Sequence, residues 1–255
     1  MQVRFLGHAT TVLDLPGARV MTDPFLRATL GPLQRHGPLP DPATYDGIDV
    51  VVVSHGHPDH FDRRSLALLP GRPTVVVPRG LGAWLRGSAP GDIVELVAGE
   101  RLTVGALTVT GVEARHWVAP NAPRAAPMGY LLEAEARVYF AGDTGRFAAM
   151  ADLAGRVDIA LLPVWTWGPH RGPGHLGPRS AAEALVDIAP RAAVPIHWGT
   201  LYPRRLHRVW RAPLDEPGDR FAAYAATRAP SVDVRVLRPG MATAIDIDED
   251  RAPVG

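Results

Sequence analysis

Short β-branched runs broken by Gly, Pro and Asp recur along the whole chain, and only a few segments carry apolar residues at helical spacing. The pattern predicts strands near residues 3–6, 11–15, 18–22, 50–53, 74–78, 92–96, 101–104 and 107–112, interrupted by helices near 65–69 and 81–86. A second half follows in the same style. It has strands near 129–133, 138–141, 159–162, 193–196, 234–237 and 243–247, with helices near 146–154, 179–188 and 219–227. Two sheets covered by outer helices fit this count. Three connecting segments, 27–45, 117–127 and 164–178, are rich in Pro, Gly and aromatic residues and are expected to wall a cleft.

Composition narrows the picture only modestly. A length of 255 residues with 46% hydrophobic content can bury one sizeable core, and no linker splits the chain, so residues 1–255 read as a single domain. The net charge of +1 gives no bias toward nucleic acid or an anionic membrane, although all 27 basic residues are arginine. No secretory apolar core opens the sequence and no run of eighteen apolar residues occurs, so a soluble cytoplasmic protein without a transmembrane segment is expected. Self-association is left open.

The segment Ser54-His55-Gly56-His57-Pro58-Asp59-His60 changes the picture. It packs three imidazoles and a carboxylate into six residues directly after the apolar run 49–53. A structural role explains one histidine more readily than three. Neutral imidazole nitrogens and carboxylate oxygens are ligands for zinc and its divalent neighbours. His55 and His57 lie at i and i+2 on extended chain, so both can face one ion across Gly56. Asp59 and His60, past the turn at Pro58, can address a second ion. His116, Asp143 and His197 each follow a hydrophobic strand and complete the candidate set.

These residues resemble the metallo-β-lactamase superfamily, whose signature is a His-x-His-x-Asp-His loop followed by a distal His, a bridging Asp and a final His. All seven positions are filled here. The resemblance runs from Phe5-Leu6-Gly7-His8-Ala9-Thr10 and Thr22-Asp23-Pro24, through Tyr139-Phe140-Ala141-Gly142-Asp143-Thr144-Gly145, to Pro195-Ile196-His197-Trp198-Gly199-Thr200. Within the superfamily these phrases look most like the branch holding N-acyl-phosphatidylethanolamine phospholipase D and the ascorbate-phosphate lactonases. The resemblance implies a four-layer αβ/βα sandwich and two divalent ions, zinc first, with manganese and iron(II) chemically reasonable alternatives. It would place His55, His57 and His116 on one ion, Asp59, His60 and His197 on the other, and Asp143 between them. His175 resembles a family position near the substrate.

A hydroxide bridging the two ions is the expected nucleophile, oriented by Asp59 or Asp143, and His175 could donate a proton to the leaving group or hold a phosphate. The chain has no Cys, no Lys and no Gly-x-Ser-x-Gly elbow, so covalent routes lack support. A phosphodiester of a small or lipid-like molecule is the first substrate reading, and a lactone or other ester the second. Nucleic-acid processing fits less well, and a catalytically silent metal-binding scaffold would have no chemical reason to keep all seven ligands. The loop 117–127 lacks the second arginine often found in the phospholipase branch. His8 and Asp23 could orient ligand imidazoles from behind or serve only as strand-end hydrogen bonds. Trp117, Trp165, Trp167 and Trp198 lie beside these residues, with Trp165 and Trp167 the better candidates for a pocket wall. His36, His170 and His207 are expected to be exposed.

Overall fold

Residues 50 to 53 are all valine and all buried, a pattern that needs apolar cover on both faces of a strand. In the computed structural model, which describes residues 1–118, 123–165 and 174–247, they have it. Val50 and Val52 face a core shared by two sheets, whereas Val51 and Val53 face a second core under helices on the outside. The period-2 alternation of strand side chains divides a single apolar run between two cores.

The described strands are β1 (Gln2–Gly7), β2 (Thr10–Leu15), β3 (Ala18–Thr22), β4 (Thr29–Leu30), β5 (Leu33–Arg35), β6 (Val50–Val52), β7 (Thr74–Pro78), β8 (Ile93–Leu96), β9 (Arg101–Val104), β10 (Leu107–Glu113), β11 (Met128–Glu133), β12 (Arg137–Phe140), β13 (Ile159–Pro163), β14 (Ala192–Ile196), β15 (Leu201–Pro203), β16 (Asp233–Val234) and β17 (Ala242–Ala244). The helices are α1 (Arg63–Leu66), α2 (Gly82–Leu85), α3 (Pro178–Ile188), α4 (Ala212–Asp215) and α5 (Pro217–Arg228). One sheet has the order β17-β1-β2-β3-β6-β7-β8 and the other β16-β14-β13-β12-β11-β10-β9. Leu66, Leu81 and Leu85 of the α1 and α2 region cover the outer face of the first sheet, and α3 and α5 cover the second, giving the layers of an αβ/βα sandwich.

Strand direction decides where chemistry can gather. In the first sheet β1 and β3 each run antiparallel to β2, and β3 runs parallel to β6, so β1, β3 and β6 end at the same edge. In the second, β10 and β12 each run antiparallel to β11, and β12, β13 and β14 are parallel, so their ends also share an edge. The two edges meet: the Met128 N–H donates to Ser54 O (2.9 Å), the Tyr130 hydroxyl to Val53 O (2.8 Å), and His8 forms a bridge with Trp198.

The predicted elements are found nearly in place, with four differences, one of them that the strand expected at 234–237 shortens to β16 (Asp233–Val234). The segment 146–154 forms a 3-10 helix, Ala148–Leu153, in place of an α-helix, and the helix predicted at 65–69 is the single turn α1. The segment 27–45 contains β4 and β5, which join β15 in a three-stranded sheet. Strands of two or three residues are too short to carry a period. That sheet corrects the expected exposure of His36 and His207, which are half-buried with ring centroids 4.5 Å apart. His170 and Trp167 lie outside the described residues.

Helix α3 begins with Pro178 at its first position, where the missing N–H costs nothing, and ends at Ala189 in left-handed backbone. Leu185 is buried in the core on its inner face and Val186 stands outside, 56% exposed. Leu185→Ala is therefore expected to cost about 2–5 kcal/mol, and Val186→Ala less than about 0.5 kcal/mol, measured by urea denaturation.

Candidate metal centre

All seven sequence-derived ligands converge where the two sheet edges meet, and their atoms fall into groups. His55, His57 and His116 offer nitrogens within 4.8 Å of one another; His8, Asp59, His60 and His197 form a second such group. Asp143 stands between them. Its Oδ1 is 3.3 Å from His197 Nε2, and its Oδ2 is 3.5 Å from His60 Nε2 and 3.9 Å from His116 Nε2. His175 is also present, its Nε2 3.8 Å from Asp143 Oδ2 and its ring edge-on to His116 with centroids 4.5 Å apart.

Four of the five candidate ligand imidazoles are turned by an acceptor behind them. His60 Nδ1–H donates to Asp23 Oδ2 (2.6 Å), His116 Nδ1–H to Gly174 O (2.9 Å), and His197 Nδ1–H to Trp165 O (2.8 Å). His55 Nδ1–H donates to Ser54 Oγ (2.9 Å), whose own proton goes to Asp23 Oδ2 (2.6 Å). Tautomers assigned from this network leave the Nε2 lone pairs facing inward. Two consequences follow. His55 Nε2 is buried with no hydrogen-bond partner among the described residues, and the Nε2 atoms of His60 and His197 face each other at 3.2 Å. Buried acceptors left unpaired and lone pairs in opposition are unfavourable unless something positive lies between them. The donor set fits a divalent cation, with nitrogen and oxygen ligands and no thiolate.

Electrostatics point the same way. Burial alone would depress His60, yet Asp143, Asp59 and Asp23 raise it well above the usual imidazole range. The carboxylates of Asp59 and Asp143 stay well below the usual range despite burial, held there by surrounding histidines. Burial pushes His116 down to about 4 and, with His197 beside it, His8 down to about 3. The carboxylates around His60 thus favour positive charge at the point where the two ligand groups face each other.

The backbone supports this arrangement at particular points. His8, Asp23 and His197 have left-handed φ of 57°, 33° and 63°. Such backbone is costly for non-glycine residues and clusters at functional sites. Thr10 pins Asp23 from both sides, its hydroxyl donating to Asp23 O (2.7 Å) and accepting from the Phe25 N–H (2.9 Å). Gly142, at φ 58°, lies so close to Ser54 that any side chain would overlap it. Thr144 accepts the Arg115 N–H (2.9 Å) and so ties the His116 loop to the Asp143 loop.

Asp23 proves to be the acceptor behind both His60 and, through Ser54, His55. Ser54 carried no signal in the sequence beyond its position beside a ligand. Trp165 contributes its backbone carbonyl, and its half-buried ring stands 6.0 Å from that of Tyr202. Trp198 is a core residue, stacked at 6.4 Å on Phe5. Trp117 lies at the surface, 60% exposed, with its ring 6.1 Å from that of His57.

A family model described as the beta-lactamase superfamily domain matches residues 18–198. The chain is 29% identical over 249 residues to a UPF0173 metal-dependent hydrolase of Caldivirga maquilingensis, covering 93% of this chain and 95% of the relative. It is 28% identical over 220 residues to the mitochondrial N-acyl-phosphatidylethanolamine-hydrolyzing phospholipase D of Saccharomyces cerevisiae, covering 77% of this chain and 47% of that protein. Among solved structures, a metallo hydrolase from the archaeon Ignicoccus hospitalis superposes with a TM-score of 0.69 at 20% identity, covering 97% of this chain and 99% of the other.

Ligation requires a bare Nε2 on His60, so zinc uptake should release protons and apparent affinity should rise with pH between about 6 and 8, read by calorimetry in buffers of different ionisation enthalpy. Asp23→Asn should weaken zinc binding about 10–100-fold in competition with a chromophoric chelator.

Proposed function

The chain belongs to the beta-lactamase superfamily and is a metal-dependent hydrolase, and on that premise we propose that it holds two divalent ions, zinc first, and hydrolyses a phosphodiester. The observation that carries the reading is the pairing of two inward-facing ligand groups across one carboxylate, Asp143. In this reading His55, His57 and His116 hold one ion, Asp59, His60 and His197 the other, and Asp143 touches both. The bound pair would supply Lewis acidity and a water acidified to near neutral pH.

The protein's own groups do the rest. Asp143 lies where it can orient the attacking water, and Asp59, fixed from behind by His8 (2.9 Å), is the other carboxylate within reach. His175, its side chain 22% exposed, stands on the open side of Asp143 and can deliver a proton to the leaving oxygen. Trp117 beside His57 offers an apolar face to an acyl chain or ring of the substrate. The phospholipase D among the relatives supports a phosphodiester as the bond broken. The whole chain acts as one hydrolase domain in this reading.

The test is turnover of zinc-loaded protein on a phosphodiester panel and a lactone panel. Phosphodiester hydrolysis, abolished together with bound metal in His57→Ala, is the expected result; hydrolysis of lactones alone would replace this reading with lactone or ester hydrolysis. His175→Ala should keep its metal and lose about 100-fold in kcat on alkyl phosphodiesters, with a smaller loss on p-nitrophenyl esters, whose leaving group needs no proton.

A further inference from the structure

His8 lies against Asp59, His60 and His197, three of the residues read above as ligands of the second ion. Its side chain is buried, and its Nε2–H donates to Asp59 Oδ2 at 2.9 Å. That oxygen is also 3.5 Å from His60 Nε2 and 3.9 Å from His197 Nε2, so it faces the ligand group while it accepts from His8. The His8 ring lies 4.0 Å from the His197 ring and 5.2 Å from the His60 ring, centroid to centroid. Its carbonyl accepts the His197 N–H (2.6 Å), and its own N–H donates to Thr200 Oγ1 (2.8 Å).

The left-handed backbone at His8 sharpens the point. Gly7, just before it, already has φ 113° and could absorb the turn out of β1 without side-chain cost. A large side chain is nonetheless kept at φ 57°, a strained backbone that persists only when the surroundings fix it. The surroundings here are Asp59 and His197.

We propose that His8 is a positioning residue for the buried half of the centre: its Nε2–H fixes the rotation of the Asp59 carboxylate, and its ring backs His197, so that this half is set before a cation arrives. With its proton on Nε2 the ring offers Asp59 a donor and no lone pair, so it orients a ligand without being one. The half built from His55, His57 and His116 does not depend on it. This inference rests on the two-ion reading given above.

The experiment is a cobalt(II) titration of metal-free protein, followed by visible absorption, for wild type, His8→Phe and His8→Gln. Wild type should take up two equivalents. H8F should bind the first with unchanged affinity and spectrum and the second about 10–100-fold more weakly. H8Q, whose amide can donate from near the Nε2 position, should recover most of that loss. Retention of the first equivalent reports that the variant is folded, and H8A takes the place of H8F if it is not. Uptake of both equivalents by H8F as tightly as by wild type would overturn the role of His8 alone. H8Q as weak as H8F would overturn it in favour of direct ligation. Uptake of one equivalent by wild type would instead overturn the two-ion reading and this inference with it.

Discussion

The Asp23 carboxylate is the constraint on which the candidate centre depends. Fully buried, it accepts from the Ser54 N–H (2.7 Å), the Ser54 hydroxyl and His60 Nδ1–H, and through Ser54 it also governs His55. One acceptor therefore sets the ring orientation of a residue in each ligand group. Burial raises the carboxyl above its ordinary range even against the partners that stabilise its charge. The arrangement holds only while every partner stays in place, which accounts for the density of backbone and hydroxyl contacts around it.

That density has its origin in the sheets. The antiparallel and parallel pairings send β1, β3 and β6 to one edge of the first sheet and β10, β12 and β14 to one edge of the second. His55, His116, Asp143 and His197 each follow a strand end within three residues, so their positions are set by the cores that hold those strands. The site inherits its precision from that packing.

Much of this was legible from residue order because it depends on local features. Strands such as β6 and β7 carry their apolar runs openly, and the ligands follow strand ends at spacings that extended backbone makes meaningful. The parts that were not legible depend on distance in space. Ser54 matters because Asp23, 31 residues earlier, lies beside it. His36 is half-covered because β15, from far along the chain, pairs with β5, and neither strand is long enough to announce itself. Trp165 contributes a carbonyl, which no side-chain identity encodes.

Solvent does not reach the two ligand groups equally. His57 is half-buried and His175 borders the opening, whereas His60 and His197 are sealed and Asp59 nearly so. Any molecule entering from solvent therefore meets His57 and His175 before it meets the sealed residues.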